Sequence, residues 1–392
     1  MSSELWGPRE LSRLRVIEAL ARLPGSNRTQ VGQEAGLSRP TVVGVLDELE
    51  RAGMIEQWSE PETEDRPRPT GRPPIQIRLA PRAAFAVGLD FGHRHIRAAV
   101  CDLSGQPVAD DWSEAAVDSE PDASLDLALA LVRGVLERAA ADPADVIGVG
   151  MGLAAPVDAA TGEAYVEGIL PGWGGLRPAA EMEARLGMPV RLDNDANVGA
   201  LGEHTLGAAR GARDIAYVRL SAGIGLGLIL GGEPYRGRLG IAGELGHVRT
   251  VASGGALCRC GNRGCLETVA SAAAVADSLG VQVPRVVELV SAGDPEALAA
   301  VAAAGEAVGD AVAALVNVLN PELVVIGGEL AGAGEVLLEP VRRAIAAGAI
   351  RPSSGAVETR VGALGERAEV LGAASMVLAG APRLLAQRLG GA

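Results

Sequence analysis

Three of the chain's four cysteines, Cys258, Cys260 and Cys265, fall within a short stretch, and His247 precedes them. One imidazole and three thiolates make the ligand count of a closed, tetrahedral zinc site. Gly255, Gly261 and Gly264 let the backbone fold tightly around such an ion. The clustering suits a metal in a reducing cytoplasm better than a disulfide framework, and the competing reading is a set of reduced, buried cysteines. A fully ligated zinc leaves no position for water. Its expected role is therefore structural, fixing the segment that carries Glu244 and Glu267.

Two further groups could do chemistry. Asp193-Asn194-Asp195-Ala196-Asn197 follows the apolar run Val190–Leu192, and taken alone it reads as a turn and helix cap. Glycine-bearing turns occur at Asp90-Phe91-Gly92-His93-Arg94-His95, at Ser221-Ala222-Gly223-Ile224-Gly225, and at Gly327-Gly328. Loops of this kind cradle phosphates when the backbone can approach closely.

The elements that carry these residues repeat. A strand (Ala84 to Asp90), a turn at Gly92 and a second strand (Ile96 to Leu103) are echoed by Ile215 to Leu220, a glycine loop and Leu228 to Leu230. Helical stretches at about 124–141, 296–318 and 370–388 alternate with short apolar strands at Val146–Gly150 and Leu323–Ile326. This predicts an α/β fold of two related lobes with a ligand cleft between them.

The front of the chain is different. Leu11, Leu14, Ile17 and Leu20 give a helix over about 8–22 one apolar face, and Pro24-Gly25 ends it. A short helix from Arg28 to Ala35 closes at Gly36. Ser38 then caps a third helix from Arg39 to about Ala52, with Pro40 in its first turn and Gly53 as its stop. That order is helix-turn-helix, and Ser38, Arg39, Pro40 and Thr41 sit where a recognition helix meets DNA. Ile55-Glu56-Gln57 and Ile75 to Leu79 alternate like a hairpin, a wing whose Gly71-Arg72 tip suits a minor groove. The alternative is a three-helix protein-interaction module.

The chain has 392 residues with 35 basic and 49 acidic side chains, a net charge of −14. All the basic residues are Arg, which we read as codon bias. Such acidity excludes a protein that coats nucleic acid everywhere, yet Arg66, Arg68, Arg72, Arg78 and Arg82 form an acid-free run, either a DNA-facing stretch or a solvated linker. Hydrophobic residues at 48% and charged residues at 21% exclude a mostly disordered chain. The start lacks a signal-peptide pattern, and Gly and charges are expected to cut every apolar window short of a membrane span. The expectation is a soluble, cytoplasmic, multidomain protein.

Taken together, Gly243-Glu244-Leu245-Gly246-His247 and Cys258-Arg259-Cys260-Gly261-Asn262-Arg263-Gly264-Cys265-Leu266-Glu267 resemble the signature of the ROK family (repressors, open reading frames and sugar kinases). The likeness covers the whole chain and is to the family's DNA-binding repressors. It implies a two-lobed, actin-like ATPase (sugar kinase-like) fold behind a winged helix-turn-helix. The implied divisions are 1–82 (reader), 83–195 (first lobe, with a helix at about 375–392 packing back) and 196–374 (second lobe). It also implies sugar ligands held by Asn194, Asp195, Glu244, His247 and Glu267, with His247 giving one nitrogen to zinc and the other to the sugar. Homodimers or homotetramers acting on a double-stranded operator are implied as well.

In the family's kinases Asp195 would be the general base. Their first loop reads D-x-G-G-T-K, where this chain has His93 and Arg94 in place of glycine and threonine; their G-T-G-x-G is replaced by Ser221-Ala222-Gly223-Ile224-Gly225. The expected P-G-x-V-D is Ala154-Ala155-Pro156-Val157-Asp158, while Pro171-Gly172-Trp173 is typical, Trp173 being either a pocket or a plain core residue. These losses favour a sugar-sensing transcriptional regulator without phosphoryl transfer. An ATP-dependent hexose kinase with an attached DNA-binding domain is the alternative; a constitutive DNA-binding protein with a vestigial pocket is a third.

Overall fold

A computed structural model describes residues 6–58, 75–158 and 161–390. The reader comprises α1 (Pro8–Arg22), α2 (Arg28–Ala35) and α3 (Arg39–Arg51), followed by the antiparallel strands β1 (Ile55–Trp58) and β2 (Gln76–Leu79). Asn27 and Ser38 cap α2 and α3 with their side chains, and Gly36 ends α2 in the left-handed conformation. The apolar face of α1 is Val16, Ile17, Ala19 and Leu20; the expected Leu11 is 40% exposed, because a strict three-residue step drifts off a 3.6-residue face. The wing tip, Gly71 and Arg72, lies outside the described residues.

The lobes are built alike. The first sheet uses β3 (Phe85–Phe91), β4 (His95–Asp102), β5 (Pro107–Glu114), β6 (Val146–Leu153) and β7 (Val190–Asn194), in the order β5-β4-β3-β6-β7. The second uses β8 (Ile215–Leu220), β9 (Ile224–Leu230), β10 (Glu233–Pro234), β11 (Leu323–Gly327) and β12 (Glu358–Val361), in the order β10-β9-β8-β11-β12. Numbered within each lobe, both orders are 3-2-1-4-5, so the echo in the sequence is a duplicated topology. In each, the first two strands are antiparallel and the fourth runs parallel to the first. β3, β6, β8 and β11 are buried throughout.

Helices α4 (Pro121–Ala139) and α5 (Pro178–Leu186) serve the first lobe. The second holds α7 (Glu267–Ala270), α8 (Ala272–Leu279), α9 (Val283–Ser291), α10 (Pro295–Leu319), α11 (Glu335–Gly348) and α12 (Arg351–Ser354). Contrary to expectation, α10 has the length and apolar composition of a membrane span, with half of its most apolar window buried. Its Val301, Val308, Val312 and Val316 are fully buried, and Gly305 and Gly309 bring it against the α11 backbone. It is a core helix of the second lobe.

Two helices join the lobes. α6 (Asp195–Thr205) leads from β7 into the second lobe, and α13 (Ala368–Leu378) returns to lie across β3 and β6. The return thus begins at Ala368, ahead of the expected 375. The predicted single stretch at 370–388 is two helices, because α14 (Ala381–Arg388) departs at 45° past Gly380. α14 packs on α1, and one core contains Val16, Ile17 and Leu20 of the reader with Leu371, Ala374, Val377 and Leu385 of the returning helices.

Candidate functional site

The metal-ligand set comes together. The Nδ1 of His247 lies 3.7 Å from Cys258 Sγ, Cys260 Sγ lies 3.7 Å from Cys265 Sγ, and all four ligand atoms fall within 4.8 Å of one another. A tetrahedron with Zn–S bonds of about 2.3 Å has S···S edges of about 3.8 Å, so the residues fit a single zinc-sized cation. The loop makes this by a knuckle: Cys258 N donates to Asn262 O and Gly261 N to Cys258 O, with Gly261 and Gly264 both at φ +85°. Burial and the neighbouring thiols push Cys265 up to about 12 without a cation; a metal reverses this by holding thiolates. The group can bind a metal.

The knuckle backs onto a cleft between the lobes, lined by His93, Ala155, Asn194 and Asp195 from one side and by Arg219, Glu244, His247, Arg259 and Glu267 from the other. All five residues expected to meet a sugar therefore share one cavity. Their individual states differ. Asn194 caps α6 through Oδ1, to Ala196 N at 2.9 Å, and its Nδ2 donates to Ala155 O at 3.1 Å; the cap reading of this motif is thus also realised. His247 turns Nε2 toward Glu244, 3.6 Å away, while Nδ1 faces the cysteines. Burial, with the Asp195 and Glu267 carboxylates nearby, pushes the Glu244 carboxyl up to about 7. The Ala154-Ala155 pair is buried and forms the floor. Trp173 is fully buried, donates from Nε1 to Val117 O and stands edge-on to Phe91. It is a core residue.

Two arginines escaped the sequence reading. Arg259, between two of the cysteines, donates from Nε to Glu267 Oε1 at 2.8 Å and from Nη2 to Oε2 at 3.2 Å, and Ile224 N also donates to Oε2. The metal loop thereby holds a cleft carboxylate directly. Arg219, on β8, is 8% exposed; its Nη1 lies 3.0 Å from Asp195 Oδ2 and its Nε 2.9 Å from Glu369 Oε1. The other oxygen of Asp195 accepts from Ala196 N. Its signal was an Arg inside the apolar strand Ile215–Leu220, a charge that burial tolerates only with partners.

The glycine loops border a second cavity, and the histidines of the first loop are held by carboxylates. The imidazole of His95 lies over Gly92, where a Cβ would come within 2.4 Å of it, and Nε2 meets Asp90 Oδ2 at 2.9 Å. His93 Nδ1 meets Asp118 at 2.8 Å. Burial opposes charge on both members of the His95–Asp90 pair, but their mutual hydrogen bond and attraction win, raising the His95 pKa and lowering that of Asp90. Gly327 and Gly328 have no room for a side chain: Cβ atoms there would come within 2.3 Å of the Tyr217 hydroxyl and 2.5 Å of Leu220 O. This second cavity, about 810 Å³, also presents Glu329, Glu366 and Glu369.

In the reader, Arg39, Pro40 and Thr41 are exposed at the α3 N-terminus, and Ser38 Oγ lies 2.8 Å from Thr41 Oγ1. The basic run is partly spent on the protein itself. Arg78 pairs with Glu56, and Arg82 donates to Ala139 O; Arg66, Arg68 and Arg72 lie outside the described residues.

A winged reader on a two-lobed, sugar kinase-like scaffold is the class that fold and cleft define. The ROK family model matches residues 86–379 and an IclR helix-turn-helix model matches residues 14–58. The chain belongs to the ROK family. It is similar to a xylose repressor of Caldicellulosiruptor bescii, 26% identical over 86% of this chain and 88% of the relative. A glucokinase of Halalkalibacterium halodurans is 34% identical over 67% and 86% respectively. Among solved structures, a ROK transcriptional regulator homologous to Escherichia coli Mlc superposes with TM-score 0.78 at 23% identity, over 97% of this chain and 98% of the other. A Streptomyces griseus glucokinase with glucose and AMPPNP gives 0.66 at 30% identity, over 75% and 99%.

Proposed function

We propose that this chain is a sugar-responsive, DNA-binding transcriptional repressor that holds a sugar between its lobes without phosphorylating it. The observation that carries the reading is the state of Asp195. Both its oxygens are engaged, one by the α6 backbone and one by Arg219. A carboxylate so held can still accept a hydrogen bond from a sugar hydroxyl, but both its oxygens are fixed by donors of the protein itself rather than free to follow an attacking hydroxyl. The His93 and His95 side chains in the first loop support the same conclusion, because phosphoryl transfer depends on close backbone and cation contact with the phosphates.

The sugar contacts are assigned to Asn194, Asp195, Glu244, His247 and Glu267, groups that offer the paired, directional hydrogen bonds a polyol needs. Zinc at His247, Cys258, Cys260 and Cys265 supplies a fixed fourfold anchor when bound; Arg259 and His247 carry that rigidity to Glu267 and Glu244. The working units are the reader 1–82, the first lobe 83–195 completed by the returning helices, and the second lobe. Ser38, Arg39, Pro40 and Thr41, with Gly71 and Arg72 of the wing, are the DNA contacts. A homodimer or homotetramer acting in the cytoplasm would place two readers on half-sites about one helical turn, or a multiple of it, apart.

The second reading, a hexose kinase with an attached reader, is favoured by the presence of Asp195 and the glucokinase relatives. Coupled detection of ADP release with a panel of pentoses and hexoses separates them. The proposal expects no release above the sugar-free rate. Sustained turnover that disappears in Asp195→Ala would establish the kinase instead.

A further inference from the structure

Both segments that join the lobes begin at one buried arginine. Asp195 is the first residue of α6, and Glu369 lies in the first turn of α13. Arg219 stands on β8 of the second lobe and forks between them, Nη1 to Asp195 at 3.0 Å and Nε to Glu369 at 2.9 Å. Arginine suits such a post because its planar fork addresses two acceptors at once from a fixed plane. Tyr217, two residues earlier and fully buried, donates its hydroxyl to the same Glu369 oxygen at 2.9 Å.

Beyond that point the route is stiff. α6 and α13 cross with backbone against backbone: a Cβ on Gly202 would fall 2.3 Å from Ala368 O, and one on Gly372 only 1.7 Å from Val198 O. α13 meets the first sheet in the same way at Gly88 and Gly150. Close-packed contacts of this kind transmit a shift rather than absorb it. After the 45° bend, α14 enters the core it shares with α1 of the reader, where Leu385 is fully buried beside Val16, Ile17 and Leu20.

We propose that Arg219 is the coupling residue: it senses occupancy of the cleft at Asp195 and passes it, through Glu369 and the α13–α14 pair, to the DNA reader. The inference rests on the sugar-responsive reading above and deepens it. A sugar hydroxyl donating to Asp195 Oδ2 competes with Arg219 for that oxygen. The guanidinium then leans on Glu369, and the angle of α13 against the second lobe changes. A ligand shifts a conformational equilibrium only through such differential contacts.

The test uses the full chain with D-xylose and D-glucose as probes. Calorimetry measures binding, and amide hydrogen exchange follows α13, α14 and α1 with and without sugar. In the wild type, bound sugar changes protection along all three helices. Glu369→Gln, which keeps shape and an acceptor but removes the charge, is expected to bind within about threefold of wild type. Its change in α14 and α1 should be at least about fivefold smaller. Tyr217→Phe, which leaves the Arg219–Glu369 pair intact, retains the response; equal loss in both variants would mark a merely structural role and overturn the inference. Wild-type protein that binds sugar without altering α14 and α1 overturns it alone, whether or not the variants fold. Wild-type protein that binds neither sugar removes the functional reading, and this inference with it.

Discussion

Arg259 donates two hydrogen bonds to Glu267, 2.8 and 3.2 Å long, so the loop bearing the metal ligands grips a carboxylate of the cleft. Metal and ligand affinity are therefore expected to be linked. Purified protein is expected to carry about one zinc per chain by elemental analysis. Cys265→Ser, or chelation, should lower sugar affinity by about tenfold or more, in the range seen when groups supporting a site are lost. The α1–α3 helices, whose core is shared with α13 and α14 and not with the metal loop, should keep their far-ultraviolet signal. Unchanged sugar affinity in zinc-free protein would contradict this link.

Arg259→Gln isolates the same link without removing a metal ligand. It leaves Glu267, 8% exposed, with the Ile224 amide but without its cation. Truncating one partner of a buried charged pair costs about 3–5 kcal/mol where the other stays charged; relaxation of Glu267 into the open cleft reduces that here. The expected outcome is bound zinc at wild-type level with sugar affinity lowered by about tenfold, read by calorimetry beside elemental analysis.

The His95–Asp90 pair gives the first lobe a pH signature. His95, which also faces Arg219 and Glu329, has a pKa raised above the ordinary 6.5. Protonation therefore favours the folded state fully below about 6.5, and that stability is lost as pH rises through the raised value. Asp90 contributes in the opposite sense, above its ordinary 3.8 and until pH falls through its lowered value. Denaturant melts should show stability declining as pH rises above about 6.5. His95→Gln should flatten that slope; an unchanged slope would assign it to another group.

Trp173 fills the first-lobe core, stacking edge-on at 5.8 Å from Phe91. Trp173→Ala should cost about 3–5 kcal/mol by leaving a cavity and an unpartnered Val117 carbonyl. Trp173→Phe should cost less. Chemical denaturation with intrinsic fluorescence checks both, and sugar affinity of the phenylalanine variant should stay near wild type, as its position in the core requires.

In the reader, Arg39→Ala should weaken DNA binding across sequences and reduce the salt slope of log affinity by about one, the mark of one lost phosphate contact. Arg78→Ala should leave that slope unchanged, because Arg78 pairs with Glu56 and covers Trp58. A duplex selected by the sugar-free protein from a random pool provides the ligand.

The lobes were legible in the sequence because strand–glycine–strand spacing and β-period apolar runs are local, and so was the reader, whose Ser38 cap and Gly36 and Gly53 stops announce its helices. The metal set was legible from spacing alone. What escaped depends on chain segments far apart. Arg219 meets Glu369 across 150 residues, and nothing local tells a buried arginine with two partners from a misplaced surface one. The break at Gly380 was missed because Ala and Leu run on either side of it, and the α1 face was right at Leu14, Ile17 and Leu20 but wrong at Leu11, where a three-residue step drifts off the face. The basic run was overcounted because its partners, Glu56 and Ala139 O, belong to a neighbouring strand and to another lobe.

The most direct measurement of the central claim is a fluorescence-anisotropy titration of the selected duplex with full-length protein, with no nucleotide present, repeated in D-xylose and in D-glucose. The account predicts that one of these sugars changes DNA affinity by at least about fivefold, and that Asp195→Ala abolishes the change. DNA affinity that responds to sugar only when ATP is supplied, or that responds to neither sugar while both bind the cleft, would contradict it.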